Sequence, residues 1–336
     1  MTREAMLYEK TDGNHIRCSL CAHRCRIKPS DRGICGVREN RDGTLFSLVY
    51  GRVIAENVDP IEKKPLFHVL PGSKSFSIAT VGCNFRCTFC QNHDISQTPR
   101  ETGSIFGRES TPEEMVEKAR KTGSKTIAYT YTEPTIYFEF AYDTAKMAHE
   151  KGLKNVFVTN GFMTEEAIEA ISPYLHAANV DLKAFRDDFY RKHCGARLQP
   201  VLDSLKKMKS LGIWVEVTTL LIPTLNDSDE ELGKIAGFIR SLGAETPWHI
   251  SRFHPRYRMD DLPPTPVASI HRAAEIGKTA GLKYVYSGNI PGDEGENTFC
   301  SHCKELLIDR YGFYIERINL KGTHCPRCET PLDGIF

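Results

Sequence analysis

Cys83, Cys87 and Cys90 stand in the run Val81-Gly82-Cys83-Asn84-Phe85-Arg86-Cys87-Thr88-Phe89-Cys90, three thiols at Cx3Cx2C spacing with an aromatic residue before the last. Iron–sulfur clusters are normally held by four thiolates. A loop that offers three leaves one iron of a four-iron cluster open to a chelating ligand from outside the chain. The competing assignment is a closed zinc site, with His93 as a fourth ligand. The loop follows Ser75-Phe76-Ser77-Ile78-Ala79-Thr80-Val81, which reads as a strand ending at Gly82.

Two further groups carry four thiols each. Cys18-x2-Cys21-x3-Cys25-x9-Cys35 fits a closed site for zinc or an auxiliary iron–sulfur cluster, with His23 as a substitute ligand. Cys300-x2-Cys303-x21-Cys325-x2-Cys328 reads as a pair of zinc-ribbon knuckles, with rubredoxin-like iron as the alternative. Between the knuckles, Gly312–Ile318 alternates like a strand. So small a segment hardly buries a sufficient core alone, which accounts for a metal there. Cys194 lies outside every group; an inert buried thiol competes with a hydrogen-atom donor or substrate anchor.

These thiols need a scaffold. The chain has 336 residues, 40% hydrophobic and 26% charged, with a formal net charge of +1, a composition suited to one large globular domain with small appendages. There is no broad basic field, so no nucleic-acid partner is implied. No apolar run is long enough to cross a bilayer, and the start lacks the apolar core of a signal peptide. Eleven of the twelve cysteines fall in the three groups. That usage predicts reduced thiolates and a cytoplasmic location rather than disulfides.

Three regions are expected: a Cys-rich metal-binding region over 1–73, a β/α region over 74–290, and a CxxC/CxxC domain over 291–336. The middle region predicts strands at Phe76–Val81, Thr126–Tyr131, Asn155–Thr159, Asn179–Leu182, Trp214–Leu221 and Trp248–Arg252, and a weaker seventh at Lys283–Tyr286. Helices are expected over Pro112–Thr122, Thr164–Ala170 and Asp229–Leu242, the first with proline at N1. This spacing suggests parallel strands in a partial (β/α)6 barrel of the TIM type.

In such a barrel, chemistry sits where strands end. The second strand runs into Tyr131-Thr132-Glu133-Pro134, where Glu133 is either a ligand acceptor or a helix-start carboxylate. The third ends at Thr159-Asn160-Gly161, whose polar groups suit a nucleoside or carboxylate; a plain Asn-Gly turn is the alternative. The fourth ends Val180-Asp181-Leu182-Lys183. Alternation points Asp181 and Lys183 the same way, into the barrel mouth or into a rim salt bridge. Near the sixth strand, His254 is favoured over His249 for ligand contact or a proton role, against a structural role.

The cysteine loop and its flanks resemble the radical SAM superfamily. With Glu133-Pro134, Thr159-Asn160-Gly161, Asp181-Leu182-Lys183 and a late histidine, residues 75–260 are similar to the pyruvate formate-lyase activating enzymes. The resemblance implies a [4Fe-4S] cluster on Cys83, Cys87 and Cys90, with S-adenosylmethionine (SAM) bound to its open iron. It implies SAM contacts from Glu133, Thr159, Asn160, Asp181, Lys183 and His254, with His254 and the three cysteines catalytic. SAM would be cleaved to a 5′-deoxyadenosyl radical that takes hydrogen from a protein, peptide or small-molecule substrate. A donor such as flavodoxin or ferredoxin would supply the electron.

Two departures stand out. Tyr131-Thr132 replaces the usual Gly-Gly, and Val158 replaces an aspartate that helps hold a monovalent cation, so no cation site is carried over. The cysteine-rich head, the run Asp59–His68, Gln91-Asn92 and the CxxC tail together resemble the radical SAM family of the AmmeMemoRadiSam system, whose name implies Memo-like and AMMECR-like partners. The alternative of another class is a non-catalytic binding scaffold with zinc in all three cysteine groups.

Overall fold

The computed structural model describes residues 2–336. Its centre is an eight-stranded sheet. In chain order the strands are β1 (Ala55–Pro60), β2 (Lys74–Ala79), β3 (Thr126–Tyr129), β4 (Lys154–Thr159), β5 (Ala177–Asp181), β6 (Trp214–Leu221), β7 (Trp248–Arg252) and β8 (Val285–Gly288). Each strand pairs with its sequence neighbours, in the linear order β8-β7-β6-β5-β4-β3-β2-β1. Strands β2 to β8 run parallel, and β1 is antiparallel to β2.

Six helices alternate with the parallel strands: α1 (Pro112–Lys121), α2 (Phe138–Glu150), α3 (Glu165–Ile171), α4 (Gln199–Ser210), α5 (Asp229–Leu242) and α6 (Val267–Thr279). The architecture is therefore the expected six β/α units, completed by the seventh strand. Strands covered on both faces read as continuous apolar runs, and every residue of β3 is buried. The helix starts follow their caps. Thr111, Thr164 and Ser228 each accept a hydrogen bond from the backbone N–H three residues on.

The edge strand β1 has no counterpart in the expected strands. Its sequence, Ala-Glu-Asn-Val-Asp-Pro, is polar and ends in proline, a pattern confined to sheet edges. The limit expected after residue 73 thus runs between two fully paired strands. The head is also not packed as a separate body: Ile16, Leu20, Val37 and Leu45 share one hydrophobic core with Phe138 and Phe140 of α2. By contrast, Cys300, Leu307, Ile308, Cys325 and Leu332 form a separate small core with Phe67, Tyr284 and Tyr286. Among the described residues, no helix is long and apolar enough to cross a membrane.

Candidate active site

The carboxyl ends of β2 to β8 surround a cleft of about 550 Å³. Cys83, Cys87 and Cys90 line it, on the loop after β2. Glu133, Thr159, Asn160, Asp181 and Lys183 line it from the ends of β3, β4 and β5. Ser251 at the end of β7 and Asn289 just past β8 close the far side, joined by a 2.9 Å hydrogen bond.

The cysteine loop is anchored from behind. Arg86 N–H donates to the Cys194 carbonyl and Thr88 N–H to the His193 carbonyl, each at 2.9 Å. Arg100 Nη2 donates to the Cys83 carbonyl at 3.0 Å. Phe85 N–H points at Cys83 Sγ at 3.3 Å, and Cys90 Sγ lies 3.3 Å from Ser96 Oγ. The Cys194 thiol, hydrogen-bonded to Cys87, and then the Lys183 ammonium hold the Cys87 thiol below its ordinary value. Burial pushes Cys83 and Cys90 upward. Cys194 itself is fully buried and outside the cleft lining, so it backs Cys87 and leaves the cleft side of the loop open.

Glu133 lines the cleft and is at the same time held from within. Its buried carboxylate accepts from Thr135 N–H (3.1 Å), Thr135 Oγ1 (2.6 Å), Thr159 Oγ1 (2.7 Å) and Asn160 N–H (2.8 Å). Burial raises its carboxyl, and those donors oppose the rise. Three of these donors reach Oε1 and one reaches Oε2, and together they fasten the β3 loop to the β4 loop. Asn160 continues the chain of contacts: its Oδ1 caps Phe162 N–H at 2.9 Å, and its Nδ2 donates to Asn84 Oδ1 at 2.7 Å. The turn needs Gly161, where φ is +69° and a Cβ would meet Val180 Cγ1 at 2.7 Å.

Asp181 and Lys183 do share a face, paired at 2.7 Å within the cleft. Burial opposes the Lys183 charge, but Asp181 and then Cys87 raise its ammonium well above the ordinary value. His254 is not brought to the cleft. Strand β7 ends at Arg252, Phe253 turns into the core, and His254 points to solvent. His249 is buried one layer below the cleft, 2.6 Å from Glu216 Oε2, where Glu216 also accepts from Phe67 and His68 N–H. That histidine is structural.

Sequence reasoning missed the support under Tyr131. This residue has φ +62°, the left-handed backbone that glycine adopts freely. Here tertiary contacts hold it instead. Tyr131 Oη donates to Asp59 Oδ2 at 2.5 Å, and Lys64 Nζ lies 4.6 Å from the ring centroid and 2.6 Å from Asp59 Oδ2. Asn92 Nδ2 donates to the Tyr131 carbonyl at 2.7 Å. The loop thus keeps a glycine-like backbone despite its departure from Gly-Gly. The available signals were the Asp59–Lys64 run and Asn92.

The residues fit an open iron–sulfur centre by the chemistry of their donors: three thiols on one loop, a cleft beside them, and a cation and carboxylate opposite. Residues 77–238 match the model of the radical SAM superfamily. Over 99% of its length the chain is 49% identical to the uncharacterised Methanocaldococcus jannaschii protein MJ0808, covering all of it. The chain belongs to the radical SAM superfamily. Membership implies SAM and a [4Fe-4S] cluster as cofactors. The chain is also 28% identical to the pyruvate formate-lyase-activating enzyme of Clostridium pasteurianum, over 48% of this chain and 67% of that one. A radical SAM methyltransferase from Sphaerobacter thermophilus shares the fold, with a TM-score of 0.53, 18% identity, and coverage of 70% of this chain and 71% of that one. This radical SAM protein thus resembles the activating enzymes in sequence.

At the far end of the molecule, Cys300, Cys303, Cys325 and Cys328 bring their sulfurs within 4.8 Å of one another. Cys300 and Cys328 Sγ lie 3.5 Å apart, and Cys303 and Cys325 Sγ 3.6 Å apart. That spacing suits one tetrahedral ion.

Proposed function

We propose that this protein reductively cleaves SAM at a cluster held by Cys83, Cys87 and Cys90, and abstracts hydrogen from a protein or peptide, as a relative of the glycyl-radical activases. The observation that carries this reading is the loop of three thiols facing a cleft that also holds the Asp181–Lys183 pair, with the remaining thiol, Cys194, kept behind it. When bound, the cluster and SAM supply a 5′-deoxyadenosyl radical by one-electron cleavage of a carbon–sulfur bond.

The chain's own residues do the positioning. Glu133 locks the Thr159-Asn160 turn against the β3 loop. The Asp181–Lys183 pair in the cleft would offer hydrogen bonds to the ribose or carboxylate of SAM. The similarity to the Clostridium pasteurianum activating enzyme and the open sheet edges support a macromolecular substrate over a small one. Flavodoxin or ferredoxin would be the donor, Memo-like and AMMECR-like proteins are the candidate partners, and zinc is assigned to Cys300, Cys303, Cys325 and Cys328. A reducing cytoplasm suits these thiols.

Anaerobic reconstitution, reduction and product analysis test the reading. The expected product is 5′-deoxyadenosine. A preparation that makes none, contains zinc but no iron or sulfide, or is undiminished by Cys87→Ala overturns it. Deuterium transfer from labelled candidate proteins, Memo-like and AMMECR-like ones included, identifies the substrate.

A further inference from the structure

Cys18, Cys21, Cys25 and Cys35 are built unlike the C-terminal set. They stand with Leu20, Ile27, Ile34 and Ile136 around an enclosed void of about 20 Å³. Among the described residues, the set whose ligand atoms all gather within 4.8 Å of one another is the C-terminal four. The N-terminal sulfurs do not gather so closely, so they are spread wider than four thiolates held at roughly 2.3 Å from one zinc ion. A buried cation also faces the thiols: Arg38, 2% exposed, donates from Nη1 to Cys18 Sγ at 3.2 Å and pairs through Nη2 with Glu139. Four thiolates around a group larger than one ion, with an N–H···S bond from a buried guanidinium, match an iron–sulfur cluster better than zinc.

The cage also touches the radical SAM loop directly. His23, two residues after Cys21, has its Nε2 2.8 Å from the carbonyl oxygen of Asn84, the neighbour of Cys83. A Cβ on Gly82 would lie 2.7 Å from Val37 Cγ1 and 3.3 Å from the Cys35 carbonyl oxygen, so only glycine permits this approach. On the other side, Ala22 N–H donates to the Phe162 carbonyl at 3.2 Å, and Thr164 Oγ1 donates to Ser19 O at 2.7 Å. The loops after β2 and β4 are therefore both packed against the cage.

We propose that Cys18, Cys21, Cys25 and Cys35 hold a second four-iron cluster, which exchanges single electrons with the cluster on Cys83, Cys87 and Cys90 across the His23–Asn84 contact. An external one-electron donor reduces the N-terminal cluster by one electron, and that cluster is reoxidised as it reduces its neighbour. No proton or bond is exchanged. The relay rests on the proposed function; the identity of the N-terminal group does not.

Iron, sulfide and zinc are counted on the full chain after anaerobic reconstitution, with electron paramagnetic resonance of the dithionite-reduced protein. The expected result is about eight iron and eight sulfide per chain, and about four of each in the Cys83→Ala/Cys87→Ala/Cys90→Ala variant. About four iron and four sulfide in the intact chain, with zinc making up the remaining sites, overturns the assignment. That count is decisive even when the triple variant fails to fold. It also leaves the proposed function standing if 5′-deoxyadenosine still forms, so the two failures are distinct. His23→Leu is expected to keep the iron content and slow the appearance of the second reduced signal in freeze-quenched samples. An unchanged rate removes His23 from the path.

Discussion

The three-thiol loop and the C-terminal knuckles use the same donor atom for opposite ends. The knuckle sulfurs are gathered by their own short chain segment, an antiparallel hairpin of Leu306–Tyr311 and Tyr314–Ile318 beside two CxxC turns. Nothing but that segment is needed to complete the set. The loop of Cys83, Cys87 and Cys90 offers one thiol fewer and depends on distant parts of the chain for everything else: Asn160 through Asn84, Lys183 beside Cys87, and Cys194 behind it. A closed set holds a fold together. An incomplete set, framed by rigid strand ends, leaves room for a reacting ligand.

Removing one ligand from each set sharpens that difference. Cys87→Ala is expected to abolish 5′-deoxyadenosine formation, a loss beyond the roughly 10–100-fold that a change outside the ligand shell costs. Far-ultraviolet circular dichroism should stay near that of the parent, because the loop is also held by backbone bonds to His193 and Cys194. Cys303→Ala should do the reverse. Structural metal binding and folding are one equilibrium in small metal domains, and the tail's own apolar core is small. The tail should become sensitive to protease while the absorbance of a cluster reconstituted on Cys83, Cys87 and Cys90 persists. Retained tail protection would show that packing, not metal, orders it.

The sequence made the closed set and the cysteines of the open set easy to find, because metal ligands are constrained in both spacing and type. The six β/α units were legible for a similar reason: apolar runs and caps such as Thr111 and Thr164 are local signals. Strand β1 was not, since its pairing with β2 depends on tertiary context and its residues are polar. The cleft was half legible. Asp181 and Lys183 follow from strand alternation. The inward role of Glu133 and the outward turn of His254 do not, because each is decided by what lies across the barrel or by where a loop leaves it.

Glu133 offers the next test of the comparison, since the knuckles have no equivalent of such a fastener. Glu133→Gln keeps the shape but places an amide N–H₂ among groups that donate to the carboxylate. At least one buried donor then loses its acceptor, at about 1–3 kcal/mol. The expected effect is a fall in SAM affinity and cleavage of about 10–100-fold, with cluster absorbance unchanged. An affinity equal to that of the parent would remove Glu133 from the positioning of the cleft.

A smaller effect is expected under acid. Burial alone would raise the Asp59 carboxyl, but Lys64, Tyr131 and Lys63 donate to it and hold it well below the ordinary range. A carboxyl depressed on folding stabilises the native state above its unfolded value of about 3.9. That contribution is lost as pH falls below this value toward the folded one. Asp59→Asn should therefore lower stability at neutral pH and flatten the acid limb of urea midpoints against pH. Parallel limbs for parent and variant would place the acid sensitivity elsewhere.

The smallest effect tests how the loop tolerates tyrosine in a left-handed backbone that glycine adopts freely. The left-handed backbone at Tyr131 is held by contacts on both ends of the residue: Asn92 on the carbonyl, Asp59 and Lys64 on the ring and hydroxyl. Tyr131→Phe removes only the hydroxyl, at about 1 kcal/mol, and should leave SAM binding within about twofold of the parent, a change of under ~0.5 kcal/mol by the usual affinity arithmetic. Tyr131→Gly removes the backbone strain, of order 1–3 kcal/mol, together with the ring that covers Lys64. If the buried Asp59–Lys64 pair is what fixes the loop, the glycine variant loses more stability than the phenylalanine variant despite its relaxed backbone. If the strain dominates, the order of the two denaturation midpoints inverts.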